Sequence, residues 1–215
     1  EKLSLPRKYR LYLIATANAL LKLHPKFDEA IAEILSSDPA GQLVVLTSRD
    51  RAPWAGLVLR RLASQPKVKA LGSSLLRRIH WLDLNVDSTE RHRMDLVATT
   101  QQQVLELLQA ADVVLDTFPA GGSHVVLRAF AMGVPVVTLE GQLLSGRIAL
   151  TMYRRMGLGD IECIAHSGRE YAHVALRLAH SARFRRDVSA RIAAASHKLF
   201  DDAVAVSEWR RFFDF

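Results

Sequence analysis

The chain has 215 residues, 49% of them hydrophobic, which is long enough to bury the core of one large or two small domains. Its net charge is +7, but the basic residues are spread along the chain in pairs such as Arg60-Arg61 and Arg154-Arg155. Dispersed pairs are typical of solvated helix faces and argue against a nucleic-acid-binding protein. No apolar run approaches the roughly 20 residues of a membrane span, which argues against a membrane protein.

Cysteine usage points to the compartment. The single cysteine, Cys163, excludes an internal disulfide and a cysteine-rich metal site. We therefore expect a reducing setting, cytoplasmic or nucleocytoplasmic. The chain begins at Glu1 rather than methionine, so we also expect a processed form or part of something longer.

The first half of the chain alternates between strand and helix patterns. Short apolar runs predict strands at 9–15, 42–47 and 77–82, and apolar residues at helical spacing predict helices at 26–36 and 53–63. Residues 83–99 are charged and poorly periodic, and we predict a surface excursion there. Thr100 is the predicted N-cap of a helix over 101–110.

The stretch 111–141 predicts a strand at 113–115, a glycine turn, a helix at 124–132 and a strand at 136–139. Gly121 and Gly122 form the turn, and Ser123 is the predicted N-cap. A glycine turn leading into a helix exposes free N–H groups and the positive end of the helix dipole, which suits a phosphate. The same glycines would also serve a plain βαβ connection, and this stretch alone does not separate the two readings.

The remaining third predicts helices at 148–156, 168–179 and 183–200, with a short strand at 161–165. A last amphipathic helix over 201–215 carries Val204, Trp209, Phe212 and Phe213. We expect these side chains to pack back across the domain or onto a partner.

The order of elements predicts a single α/β domain over 1–215 with a doubly wound, Rossmann-like parallel sheet. Such sheets bind ligands beyond the carboxyl ends of their strands. The functional residues are therefore expected in the loops at 16–25, 116–123 and 139–147.

Three motifs in order carry a family resemblance: LLKLHPKFDEAIAEIL, AADVVLDTFPAGGSHVVLRAFAMGVPVVTLEG and LLSGRIALTMYRRMGLGDIECIAHSGREY. They resemble the C-terminal catalytic lobe of the O-linked N-acetylglucosamine transferase family, which includes SPINDLY-like proteins. These enzymes are GT-B glycosyltransferases, so the resemblance implies the C-terminal, donor-binding half of a GT-B fold. The implied reaction moves N-acetylglucosamine from UDP-GlcNAc, or fucose in the SPINDLY branch, to Ser or Thr hydroxyls of an acceptor protein.

The same resemblance implies that no metal or other cofactor is needed. It also implies an N-terminal catalytic lobe and helical repeats as partners, either in the same chain or in a larger assembly. Most candidate bases would lie in that other lobe, so we expect this lobe alone not to catalyse transfer.

The resemblance also assigns site residues. Lys22 is the implied catalytic residue, contacting the diphosphate and stabilising the leaving group, while His24 is expected to be only a turn residue beside Pro25. The implied nucleotide-sugar-binding residues are Asn18, Lys22, Gly121, Gly122, Ser123, His124, Arg128 and Arg147.

Three positions depart from the family pattern. Val125 stands where the family has a hydroxyl-bearing residue, Arg128 where it commonly has a ribose-binding carboxylate, and Ala19 where many members have a polar residue. Arginine only donates hydrogen bonds, so Arg128 cannot take over the role of a carboxylate, although it is suited to a phosphate. These departures motivate a second hypothesis, a degenerate lobe that serves as a structural or interaction module.

Overall fold

The computed structural model describes residues 9–14, 19–47, 52–72, 74–83 and 94–214. Within these ranges the strands are β1 (Arg10–Ile14), β2 (Gly41–Thr47), β3 (Ile79–Asp83), β4 (Val113–Leu115), β5 (Val136–Leu139) and β6 (Ile164–Ala165). The helices are α1 (Ala19–Lys22), α2 (Pro25–Ser37), α3 (Ala52–Ala63), α4 (Pro66–Leu71), α5 (Met94–Ala110), α6 (His124–Ala131), α7 (Ile148–Met156), α8 (Gly168–His180), α9 (Ala182–Ala195) and α10 (Ala203–Phe213).

The strands form one parallel sheet in the order β3-β2-β1-β4-β5-β6. From β1 the chain moves outward to β2, and from β4 it moves in the opposite direction to β5. A crevice therefore opens beyond the carboxyl ends of β1 and β4, where doubly wound sheets bind ligands. The predicted Rossmann-like α/β class is confirmed.

The core forms because the strands are short apolar runs covered on both faces, as parallel sheets require. The three residues of β4 are each at most 2% exposed, and Val136 and Val137 of β5 are fully buried. Helix α2 adds Phe27, Ile31 and Leu35 from its apolar face.

A buried carboxylate, Asp38, organises the amino-terminal edge of the sheet. Its oxygens accept hydrogen bonds from Arg10 Nε at 2.7 Å and from the Tyr12 hydroxyl at 2.8 Å, and Arg10 Nη2 also bonds to it. Arg78 donates a hydrogen bond of 2.6 Å to the backbone carbonyl of Asp38, and His180 Nε2 lies 3.4 Å from its carboxylate oxygen Oδ2. Burial alone would raise the pKa of Asp38, but the bonds from Arg10 and Tyr12 hold it below its ordinary value.

The helix boundaries correct the predictions in two places. Helix α5 begins at Met94, so Thr100 lies inside it and does not cap it. The end of the predicted excursion at 83–99 is therefore helical, while 84–93 lie outside the described residues. Helix α4 was not predicted, because its six residues are too few to show a periodic pattern.

Helix α10 does not pack on the domain, so that part of the prediction for residues 201–215 is wrong. Every residue of the helix is exposed, and its large apolar side chains range from 50% exposure at Val206 to 74% at Phe213. Trp209, Phe212 and Phe213 contact one another, with ring centroids 5.4–5.9 Å apart. None of the helices in the described part of the chain is long and apolar enough to span a bilayer.

Replacing Asp38 with Asn should lower the free energy of unfolding at pH 7 by about 2 kcal/mol. A broken buried pair typically costs roughly 3–5 kcal/mol, but Arg10 keeps 30% of its side chain in solvent and recovers part of that. Because the folded-state pKa is lowered, the contribution is present above the ordinary carboxyl pKa of about 4 and is lost as the pH falls further. Urea unfolding from pH 3 to pH 7 measures it. The exposed Asp160→Asn is the matched control, and an equal loss in both variants contradicts the assignment.

Ending the chain after Asp202 should leave the melting temperature within about 2 °C of the native value, because α10 buries nothing against the domain. Phe130→Ala is the positive control. That ring is fully buried, and its loss should cost about 3 kcal/mol or more. Thermal unfolding followed by circular dichroism makes the comparison. A large drop on truncation would show that α10 has a partner on the domain.

Candidate functional site

Lys22, at the end of α1, reaches across the crevice to the glycine turn. Its Nζ donates a hydrogen bond of 2.6 Å to the carbonyl oxygen of Gly121, which lies 99 residues away in sequence. The loops after β1 and β4 thus meet at the carboxyl edge of the sheet, as the strand order predicts. Asn18 lies outside the described residues.

The junction between α1 and α2 keeps Lys22 in place. Arg61 of α3 donates to the Leu23 carbonyl at 2.6 Å and to Asp28 Oδ1 at 2.9 Å, and Asp28 is fully buried. His24 caps α2, since its Nδ1 accepts from the Lys26 N–H at 3.2 Å. His24 therefore occupies the turn position that the sequence predicts for it.

Asp116 lies beside the glycine turn, and its two carboxylate oxygens accept hydrogen bonds from the turn and from β5. The Gly122 N–H donates to Oδ1 at 2.7 Å, and the Thr138 hydroxyl donates to Oδ2 at 2.9 Å. A Cβ added at Gly121 would lie 2.8 Å from Oδ2, so only glycine fits there. Burial raises the pKa of Asp116 to about 6, against the opposing effects of Gly122, Thr138 and Lys22.

The glycine amides are already committed, which corrects the expectation that the turn offers free N–H groups. Gly121 N–H donates to the Ser145 carbonyl at 2.8 Å, and Gly122 N–H donates to Asp116. The first of these bonds ties the turn to the loop after β5, so all three predicted loops meet.

The free amides belong to α6. Ser123 occupies the N-cap position as predicted, but its side chain accepts no capping bond. Its Oγ lies 3.3 Å from His124 Nδ1 instead. As in any helix, the amides of residues 124–126 have no acceptor within the helix, and they lie at the positive end of its dipole. An anion is the ligand that such an end accommodates.

The other predicted residues surround this end unevenly. His124 is exposed and Arg128 is half-buried one turn further along α6, and neither has an ion-pair partner among the described residues. Arg147 instead serves its own loop: it donates to the Gly141 carbonyl at 3.2 Å and lies 3.5 Å from Glu140. The structure brings together Lys22, Gly121, Gly122 and Ser123, and it leaves Arg147 engaged elsewhere.

Aromatic packing connects helix α2 with the loop that carries the glycine turn. Phe118 lies 4.9 Å from Phe27 and 5.2 Å from Tyr171, measured between ring centroids. The Tyr171 hydroxyl donates to the Asp116 backbone carbonyl at 2.9 Å. Helix α2, which follows Lys22, and the loop that carries the glycines are thus fixed relative to each other.

Sequence reasoning missed Asp116 and Thr138, although both gave a signal. Asp116 directly follows a fully apolar strand and precedes the glycine pair, and Thr138 is a polar residue inside an otherwise apolar buried strand. A buried polar side chain needs a partner, and here the two satisfy each other. No cluster of three or more His, Cys, Asp or Glu side chains suited to a metal occurs in the described ranges.

A family model described as Glycosyl transferase family 41 matches residues 77–207, which is more than half of the chain. The chain belongs to glycosyltransferase family 41. Similar curated proteins include two named "Probable UDP-N-acetylglucosamine--peptide N-acetylglucosaminyltransferase SPINDLY". The one from Petunia hybrida is 26% identical over 164 residues, and the one from Oryza sativa subsp. japonica is 28% identical over 162. Each alignment covers 75% of this chain but only 15% of the relative.

Solved structures agree with the family. The O-GlcNAc transferase of Thermobaculum terrenum, solved as a mutant, aligns over 95% of this chain and 36% of its own, with a TM-score of 0.62 and 25% identity. The C-terminal domain of the glycosyltransferase LpcC from Francisella tularensis aligns over 92% of this chain and 88% of its own, with a TM-score of 0.59 and 15% identity, which shows the fold alone. The resemblance to an O-GlcNAc transferase or SPINDLY-like GT-B C-terminal region is confirmed.

In this family 41 chain, the raised pKa of Asp116 makes the free energy of unfolding depend on pH. Because the folded-state pKa of about 6 exceeds the ordinary carboxyl pKa of 3.8, the folded state binds more protons than the unfolded chain between these pH values. Stability therefore rises as the pH falls through 6 and levels off near 4, and ionisation costs the folded state about 3 kcal/mol at neutral pH.

The difference in free energy of unfolding between Asp116→Asn and the native chain should shift by about 2 kcal/mol in favour of the variant between pH 4 and pH 7. Urea unfolding across this range measures the difference, with the exposed Asp160→Asn as control. A difference that stays constant with pH would show that Asp116 does not titrate there.

Proposed function

We propose that this chain is the nucleotide-sugar-binding lobe of a glycosyltransferase that moves N-acetylglucosamine from UDP-GlcNAc to Ser or Thr hydroxyls of proteins. The observation that carries the proposal is the meeting of Lys22 with the glycine turn, next to the uncapped end of α6. Membership of family 41 and the printed names of the SPINDLY relatives support the reaction and the donor.

The diphosphate of the donor would lie at the amino-terminal end of α6. The amides of residues 124–126 supply hydrogen-bond donors, and the ammonium of Lys22 supplies a full positive charge. His124 and Arg128 lie four residues apart and so share one face of the helix, where they extend the positive surface. The proposed reaction includes no metal ion, as the family resemblance implies.

The chemistry assigned to the lobe is stabilisation of the leaving group. Breaking the bond between the sugar and the phosphate leaves negative charge on the UDP phosphate. A fixed cation and aligned amides stabilise that charge more strongly in the transition state than in the bound donor. The acceptor hydroxyl, its base and the acceptor-binding repeats are assigned to the remainder of a longer protein, consistent with the small share of its relatives that the chain spans.

A second function is favoured by Val125 and Arg128. The Val125 side chain is buried and offers nothing to a phosphate, and Arg128 cannot accept hydrogen bonds from a ribose. A lobe that has lost donor binding would act as an interaction module in a larger assembly. In either case Cys163, a buried free thiol, fits a reducing, nucleocytoplasmic setting.

Lys22→Ala should weaken the binding of UDP about tenfold or more, because it removes a charge-assisted contact worth roughly 1.5–3 kcal/mol. Isothermal titration calorimetry measures the dissociation constants, with micromolar binding expected for the native chain. The control is Lys69→Ala, an exposed lysine on α4 that should leave the affinity unchanged.

The two functions predict different results. Native binding that is lost only in the Lys22 variant supports donor binding. Absence of UDP binding by the native chain contradicts it and favours the interaction module.

A further inference from the structure

We propose that Asp116 is a positioning residue of the donor site: its carboxylate shapes the turn at Gly121 and Gly122, and the turn in turn sets the position of Lys22. The inference rests on the proposed function, because it names the group that arranges that same site. Asp116 is only 4% exposed, so it acts through the turn and not by touching the donor.

The turn is held from two sides. On one side the Asp116 carboxylate accepts a hydrogen bond from the Gly122 amide, and on the other the Ser145 carbonyl accepts one from the Gly121 amide. The carboxylate also lies where a Gly121 side chain would be. The amides of Gly121 and Gly122 both have acceptors, and the Asp116 carboxylate fills the space beside the Gly121 α-carbon. The Gly121 carbonyl accepts the hydrogen bond from Lys22.

Thr138 orients the carboxylate of Asp116. Its hydroxyl donates to Oδ2 while Oδ1 serves Gly122, so the two oxygens have separate partners on β5 and on the turn. Thr138 is 1% exposed and cannot reach a ligand directly. The chain of contacts from Thr138 to Asp116 to the turn to Lys22 crosses the crevice between β1 and β4.

The negative charge of Asp116 contributes to the site in addition to the space that its side chain fills. Lys22 is the cation near it, and the phenol groups of Tyr153 and Tyr171 are the other titratable groups that it influences. An asparagine would fill the same space and would avoid burying a charge. Its amide oxygen would still accept from the Gly122 N–H, and its NH₂ group would face the Thr138 hydroxyl, which accepts as well as donates. The substitution therefore chiefly withdraws the negative charge near Lys22.

The decisive comparison sets affinity against stability. Asp116→Asn should weaken the binding of UDP-GlcNAc about tenfold at pH 7.5 by calorimetry, while its melting temperature stays equal to or above the native value. UDP-GlcNAc is the probe because both of its phosphates are esterified, so it lacks the phosphate ionisation near pH 6 that a terminal phosphate has. A merely structural role predicts that affinity falls only together with the melting temperature.

A matched pair at Thr138 tests the next contact. Thr138→Ser keeps the hydroxyl and should retain native affinity, whereas Thr138→Val keeps the shape without the donor and should weaken binding about fivefold, of the order expected for one buried hydrogen bond. The Gly122 amide proton provides a spectroscopic readout: its NMR shift should titrate near pH 6 in the native chain and not in Asp116→Asn.

The outcomes separate the two proposals. If the native chain binds neither UDP nor UDP-GlcNAc, the proposed function fails and this inference fails with it. If the native chain binds UDP-GlcNAc and Asp116→Asn binds it equally well, the inference alone is overturned. Weaker binding by Asp116→Asn at undiminished thermal stability supports both.

Discussion

The buried carboxylate of Asp116 is the interaction on which the carboxyl edge of this sheet depends. Asp116 directly follows β4. Its carboxylate accepts hydrogen bonds from the Thr138 hydroxyl of β5 and from the turn before α6, and its backbone carbonyl accepts one from Tyr171 of α8. Each partner comes from a different part of the chain, so the carboxylate fixes several elements at once. Because its partners on the side chain are neutral donors, burial dominates and raises its pKa.

Asp38 shows the contrasting case at the opposite edge. Its side chain is also buried, but the guanidinium of Arg10 bonds to it directly, and its pKa is lowered. Asp38 is stabilised by a directly bonded charge, whereas the partners of Asp116 offset only part of the cost of its burial, at the edge of the proposed donor site. Natural proteins tend to retain such costs where function needs a fixed geometry, which is consistent with the positioning role proposed for Asp116.

The geometry of the site follows from the topology of family 41. The crevice between β1 and β4 places a loop carrying a cation opposite a helix that begins without a side-chain cap. This pairing of a cation with the first turn of a helix is the basis of the proposed diphosphate site. The exposed apolar helix α10 is a separate feature, since it begins beside α7, where Asp202 pairs with Arg155.

Local patterns in the sequence were enough to predict most of the strands and helices. Runs such as Val136-Val137 predicted the strands, and the motifs identified the family. In the structure, Gly133 and Gly157 follow α6 and α7 at positive φ, a conformation that glycine favours. These signals are local, because apolar spacing and glycine conformation act over a few residues.

The arrangement of the candidate site depends instead on contacts that form when the chain folds. The bond from Lys22 to Gly121 spans 99 residues, and that from Thr138 to Asp116 spans 22, so no local pattern contains them. The sequence predicted free glycine amides, but folding brings Asp116 and Ser145 to those amides and leaves the first turn of α6 open instead. The physical reason is that a buried polar group must find its partner wherever the fold places one, and that choice is made in space rather than along the chain.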